Sequence, residues 1–155
     1  MEDSNYTSTA NVEMLIRRPI EQVFQAFIDP EITTKFWFTK SSGRLEQGKQ
    51  VRWDWEMYGV GSDVDVKEIE ENQRIFIELD DRTTVDWVFT PRSENETMVT
   101  ITNAGFKGTQ EEIVNQVIDS TGGFTIVLCG LKAFLEQGIL LHLVADRFPD
   151  ANVNK

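Results

Sequence analysis

Val51-Arg52-Trp53-Asp54-Trp55-Glu56-Met57 alternates strictly between apolar and charged residues, and residues 123–143 form a long, almost uncharged run. A period of two marks a strand with one dry and one wet face, so Trp53 and Trp55 share the dry side. Two tryptophans on one strand face need a large apolar partner, and the run at 123–143 is the only long apolar helix that the pattern offers. The pair predicts a curved antiparallel sheet wrapped around a C-terminal helix, a shape that leaves room for a cavity between them.

The rest of the chain extends this frame. Thr9 to Arg17 alternates with Val12, Met14 and Ile16 on one side, a first strand. Pro19 suits the opening position of a helix because its φ is fixed and its missing N–H is not needed there. Val23, Phe24, Phe27 and Ile28 then form a stripe at helical spacing, Asp29-Pro30 breaks it, and a second short helix carries Ile32, Phe36 and Trp37. From Ser41 to about Phe106 turn signals recur with no helix between the strands, which is an antiparallel meander. Gly43 and Gly48 bracket a short strand around Leu45, and further strands centre on Val66, Ile77, Trp87 and Val99. Thr109 with Glu112 is a capping box that opens a helix over Gln110 to Asp119, and Gly122-Gly123 opens the long helix after it. The class is α+β, in the order one strand, two short helices, six further strands and the terminal helix. The domain spans 9–148, with a disordered 1–8 before it and a flexible tail at 149–155.

The hairpin around Tyr58-Gly59-Val60-Gly61 fixes a register. If Met57 faces Ser62, Trp55 pairs with Val64 and Trp53 with Val66 on the dry face. The wet face then gathers Asp54, Glu56, Asp63 and Asp65. Four carboxylates could hold a hard cation, but Arg52 and Lys67 flank them and no glycine-centred loop organises them, so they read as an exposed acidic face.

Composition narrows the function. A chain of 155 residues with 40% hydrophobic and 26% charged residues is one globular domain. Twenty-six acidic residues against fifteen basic ones give a net charge of −11, which excludes nucleic acid and disfavours anionic membrane surfaces as partners. No run is uncharged enough for a membrane span, and the acidic start lacks the character of a signal peptide. The single cysteine, Cys129, lies in an apolar run and reads as a buried, reduced thiol; the expected location is the cytoplasm.

No P-loop, GxGxxG, G-x-S-x-G or Cys/His metal spacing is present, and no cofactor or metal is implied. The one histidine, His142, closes the apolar helix and reads as a structural residue near its C-terminus. Glu78 and Asp86 interrupt apolar strands but have the parity of a solvent face. The aromatics carry the functional reading. Tryptophans of matching parity on several strands exceed what seals a small sheet against one helix, and apolar ligand sites are lined in this way. The expected lining is Trp53, Trp55, Trp87, Phe89, Phe124, Val127, Leu128 and Leu131. On that reading Leu128 faces open space, and Leu128→Phe would fill it at little cost.

The ordered segments Arg18-Pro19-Ile20-Glu21-Gln22-Val23-Phe24-Gln25-Ala26-Phe27, Asp29-Pro30, Lys35-Phe36-Trp37-Phe38, Gly48 before Val51–Trp55, Thr100-Ile101-Thr102-Asn103 before Gly105-Phe106, and Gly122-Gly123-Phe124 leading to Leu131–Glu136 cover nearly the whole chain. In this series the sequence resembles the START-like, birch-pollen-allergen-like (SRPBCC) superfamily. Within it, the closest resemblance is to homologues of the activator of the heat-shock-protein-90 ATPase. The resemblance implies a helix-grip fold with a hydrophobic cavity. It frames three functions: binding of a small hydrophobic ligand without catalysis, a co-chaperone-like module whose acidic face meets a basic chaperone surface, and a cyclase- or hydrolase-type enzyme with a pocket carboxylate as base.

Overall fold

The computed structural model describes residues 8–153; the expectation for 1–8 falls, apart from Ser8, outside the described residues. Seven strands form one antiparallel sheet in the order β1-β7-β6-β5-β4-β3-β2. They are β1 (Ala10–Ile16), β2 (Lys40–Ser41), β3 (Gln50–Trp55), β4 (Val60–Glu70), β5 (Arg74–Leu79), β6 (Thr84–Ser93) and β7 (Glu96–Ala104). The helices α1 (Ile20–Ile28) and α2 (Pro30–Thr33) carry the chain from β1 at one edge to β2 at the other. The long helix α3 (Gln110–Gln137) lies on the inner face, followed by α4 (Leu143–Arg147) and a 3₁₀ turn at Pro149–Ala151. This is the expected α+β helix-grip architecture.

Alternation does most of the building. Along β6 and β7, Val85, Trp87, Phe89, Val99 and Ile101 point inward and are buried, while their neighbours face solvent. Val12 and Ile16 of β1, Val64 and Val66 of β4, and Ile75 and Ile77 of β5 extend the same dry surface. Val23, Phe24 and Phe27 of α1 and Val127, Leu128 and Leu131 of α3 close over it.

Local expectations are corrected at several points. The first is the long helix, which is continuous from Gln110, running through Gly122-Gly123 instead of starting there. Thr109 and Glu112 do form the capping box, with Thr109 N–H donating to Glu112 Oε1 at 2.8 Å and Glu112 N–H to Thr109 Oγ1 at 3.1 Å. The helix ends at Gly138, whose left-handed φ of 68° lets its N–H reach Phe134 O and that of Ile139 reach Ala133 O. His142 therefore lies beyond α3, exposed, capping the start of α4.

Second, the β3–β4 hairpin turns two residues earlier than expected. Trp55 pairs with Val60 and Trp53 with Ser62, not with Val64 and Val66. Tyr58 N–H donates to Trp55 O at 3.0 Å and Gly59 N–H to Glu56 O at 3.2 Å, and Gly59 supplies the positive φ that ends this turn. The slip is even, so the inward face is unchanged. Third, the short strand near Leu45 is instead Lys40–Ser41; Leu45 is a buried loop residue whose N–H donates to Ile28 O. Fourth, Pro19 sits at the N-cap, one residue before the helix begins, and the Cys129 thiol is half-buried.

On the outer face, Arg52 stands between Asp54 and Asp63, 3.4 Å from each, and Gln50 Nε2 donates to Asp65 at 2.8 Å. The Asp63 hydrogen bond outweighs the cost of desolvation and raises the Arg52 pKa. The acidic strands thus carry their own counter-charge.

Candidate functional site

α3 grips the sheet unevenly. Its buried residues, Val127, Leu128, Gly130 and Leu131, all fall in the C-terminal half. Gly130 is needed there: a Cβ would stand 3.2 Å from Phe36 Cβ, so its absence lets the helix approach the segment after α2. From Gln110 to Ile126 no residue of α3 is buried, and a cleft of about 350 Å³ opens between this half of the helix, the β3–β4 hairpin and α4. Contrary to the expectation that no run suits a membrane span, α3 is long and apolar enough to cross one by length and composition; here its apolar side supplies Val127, Leu128 and Leu131 to the core.

The inner wall of the cleft is aromatic. Trp37 reaches Trp55 at 6.2 Å and Phe124 at 5.6 Å between ring centroids, and all three border the cleft. Trp37 also packs on Trp53 at 4.9 Å and Trp87 at 6.0 Å, so it joins the cleft to the core. Beneath it Phe38 stacks on Trp53 at 4.5 Å, which fixes the first layer from behind.

Polar groups are few and satisfied. Ser120 Oγ donates to Asn103 Oδ1 at 2.8 Å, and Asn103 Nδ2 donates to Thr84 O at 2.8 Å. This chain fixes α3 to β7 and β6 at the end of the cleft. At the rim, Arg147 Nη2 donates to Asp119 O at 3.1 Å and to Asp119 Oδ1 at 3.2 Å, and the guanidinium lies 4.9 Å from the Phe148 ring centroid. The Tyr58 hydroxyl donates to Val144 O, and Val153 N–H donates to Met57 O at 2.7 Å. Residues 143–153 thereby strap the hairpin turn to the middle of α3 and close one side of the cleft. Asp119 and Arg147 are the charged groups on its wall; they are paired with each other, an arrangement that holds the strap.

Of the residues expected to line a cavity, Trp55, Phe124 and Val127 border the cleft. Trp53, Trp87, Phe89, Leu128 and Leu131 do not; they lie behind it in the packed core, each at most 3% exposed. The parity was shared, but the depth was not. Glu78 faces outward, paired with Lys67 and Arg82, and Asp86 is held by Arg74 at 2.9 Å. His142 lines a smaller groove beside Leu141 and Leu143 that shares Trp37 and Val144 with the cleft, and it does not itself border the cleft. The cleft also uses Trp37, Ser120, Ile126 and Arg147, which the sequence reading left out. A hint was available for Arg147: two adjacent glycines inside an apolar helix signal a close neighbour, and that neighbour is its guanidinium.

Comparison with known proteins agrees with this geometry. The family model described as "Activator of Hsp90 ATPase homolog 1-like protein" matches residues 17–136. Among solved structures, protein SSP2350 from Staphylococcus saprophyticus is 32% identical, with a TM-score of 0.75 over 86% of this chain and 96% of that one. Protein MLL2253 from Mesorhizobium loti is 20% identical, with a TM-score of 0.74 over 86% of this chain and all of that one. The Aha1 dimer from Colwellia psychrerythraea is 20% identical, with a TM-score of 0.72 over 84% of this chain and 98% of that one. At 20% identity the last two show the fold alone. Comparison with curated proteins gives no match. With its model matched from the end of β1 to the last turn of α3, the chain belongs to the family of activator of Hsp90 ATPase homolog 1-like proteins.

Proposed function

We propose that this protein binds a small apolar ligand in the cleft between α3 and the sheet, and that it acts as a carrier or sensor in the cytoplasm and not as an enzyme. One observation carries the reading: the gripping helix leaves its N-terminal half uncovered over an aromatic wall, and the resulting cleft is of ligand size. A packed core would have closed that gap. The Asp119 carboxylate, the acidic group on the wall, is engaged by Arg147, which favours binding over acid–base chemistry. The test is titration with the neutral fluorophore N-phenyl-1-naphthylamine, together with native mass spectrometry of freshly purified protein. Saturable uptake that Ile126→Phe reduces several-fold supports the reading; absence of uptake by wild-type protein ends it.

A second reading follows from the family itself, a module that contacts a heat-shock-protein-90-type ATPase. The surface for it is the outer face of β3 and β4, where Asp63 and Asp65 extend the acidic side. Binding to such a chaperone, or a change in its ATPase rate at low salt, is the discriminating observation.

A further inference from the structure

Trp87 Nε1 is the one buried side-chain nitrogen or oxygen without a hydrogen-bond partner among the described residues. The residue is 1% exposed. An unpaired buried donor is destabilising, so its retention calls for an explanation. A phenylalanine would fill the middle of β6 without that penalty.

Its position supplies one. The Trp87 ring lies 6.0 Å from Trp37 and 6.5 Å from Phe124, and those two rings, 5.6 Å apart, form the aromatic wall of the cleft. The ring that carries the orphaned donor therefore stands one ring layer behind the ligand space. Both covering rings are half-buried, not locked in the core. Neither side chain carries an oxygen or nitrogen acceptor for an indole N–H.

We propose, resting on the ligand-binding reading above, that the cleft takes a flat apolar molecule bearing a neutral carbonyl-class acceptor, which enters between Trp37 and Phe124 and receives the Trp87 indole N–H. Flatness follows from the inner wall, which the rings of Trp37, Trp55 and Phe124 form. Neutrality follows from charge: the cation at the rim, Arg147, is already paired with Asp119, the chain carries −11, and desolvating an anion costs far more than one hydrogen bond returns. Trp87 is then a specificity-determining residue whose native-state penalty is relieved on binding.

The test compares 2-acetylnaphthalene with 2-ethylnaphthalene, near-isosteres that differ in the carbonyl, against wild type and Trp87→Phe. The acetyl-to-ethyl affinity ratio is expected to be about five- to tenfold larger in wild type, the worth of one neutral hydrogen bond. In wild type, the ¹⁵N-bound indole proton of Trp87 moves downfield with the acetyl probe and not with the ethyl one. That resonance decides the matter on its own if Trp87→Phe fails to fold. Equal ratios in the two proteins, or an indole proton that the acetyl probe does not move, overturn the inference while leaving apolar binding intact. An upfield, unmoved resonance would mean that the donor is already satisfied by a ring face, and overturns it too. Failure of both probes to bind wild type removes the ligand-binding reading itself, and this inference falls with it.

Discussion

The Arg147 guanidinium rests on the α3 backbone at Gly122, where an added Cβ would come within 2.9 Å of its Nη2. Glycine inside a helix costs roughly 1 kcal/mol relative to alanine. Two in succession, at Gly122 and Gly123, are tolerated because they let α4 dock against the helix that forms the cleft. Gly122→Ala consequently separates helix stability from strap docking. The neighbour that must move is the tip of a flexible side chain, so the thermal midpoint is expected to hold or rise by about 2–4 °C. Amide exchange over residues 143–153 should accelerate meanwhile. Unchanged protection in the strap would show that the Arg147 seat does not hold it.

At the other end of α3 the helix is anchored by charge. Glu136 Oε2 accepts from Arg17 N–H at 2.6 Å and from Lys132 Nζ at 2.8 Å, and Lys132 also donates to Leu15 O at 2.8 Å. Burial by itself would raise the Glu136 pKa; the Arg17 N–H and the Lys132 ammonium outweigh it, and the net shift is downward from 4.5. A carboxylate with a depressed folded-state pKa contributes stability that is fully present above its unfolded value and lost as pH falls through the folded one. Glu136→Gln should therefore cost about 1–2 kcal/mol at pH 7, and the gap between variant and wild type should narrow below about pH 4.5. A gap that stays constant from pH 7 to pH 3 in denaturant titrations would mean that the ionised form contributes nothing.

Strand parity made the sheet legible. Trp53, Trp87 and Phe89 are on the inner face as the alternation required, because parity depends only on the backbone. Depth was not legible. Phe124, Leu128 and Leu131 share a helical face, yet Phe124 borders the cleft while the two leucines are fully buried. That difference comes from the angle at which α3 meets the sheet, which no periodicity encodes. The same holds for Trp37. It follows a four-residue helix in an irregular stretch, so its place at the centre of the aromatic cluster follows from the path of α1 and α2 across the sheet. Gly122-Gly123 misled for a related reason. Local propensity marks them as a boundary, and a tertiary contact from a residue 24 or 25 positions later explains them instead.

The outer strand face offers a direct test of the chaperone reading. Asp54 and Asp65 are paired only with exposed neighbours, Arg52 and Gln50. The double variant Asp54→Lys, Asp65→Lys is expected to shift the thermal midpoint by less than about 4 °C, since exposed pairs contribute little. Reversing these charges should abolish any low-salt association with a heat-shock-protein-90-type ATPase in calorimetric titration. Association that survives the reversal would move the contact to another face.

Leu128 and Ile126 together decide how far the cleft extends beneath α3. Leu128 is fully buried among the core residues, contrary to the expectation that it faces open space. Leu128→Phe must add volume where none is free, and overpacking of this kind costs about 1–3 kcal/mol. Ile126, two residues earlier, is half-buried and borders the cleft. Ile126→Phe can project its ring into that space, so its cost should stay below about 1 kcal/mol while apolar probe uptake falls. Chemical denaturation of both variants, run beside probe titration, gives the two readouts. A mild Leu128→Phe would mean that the cavity continues beneath the helix to Leu131. A severe Ile126→Phe would mean that the cleft is too shallow to hold a ring, and that the aromatic wall is the outer skin of a solid core.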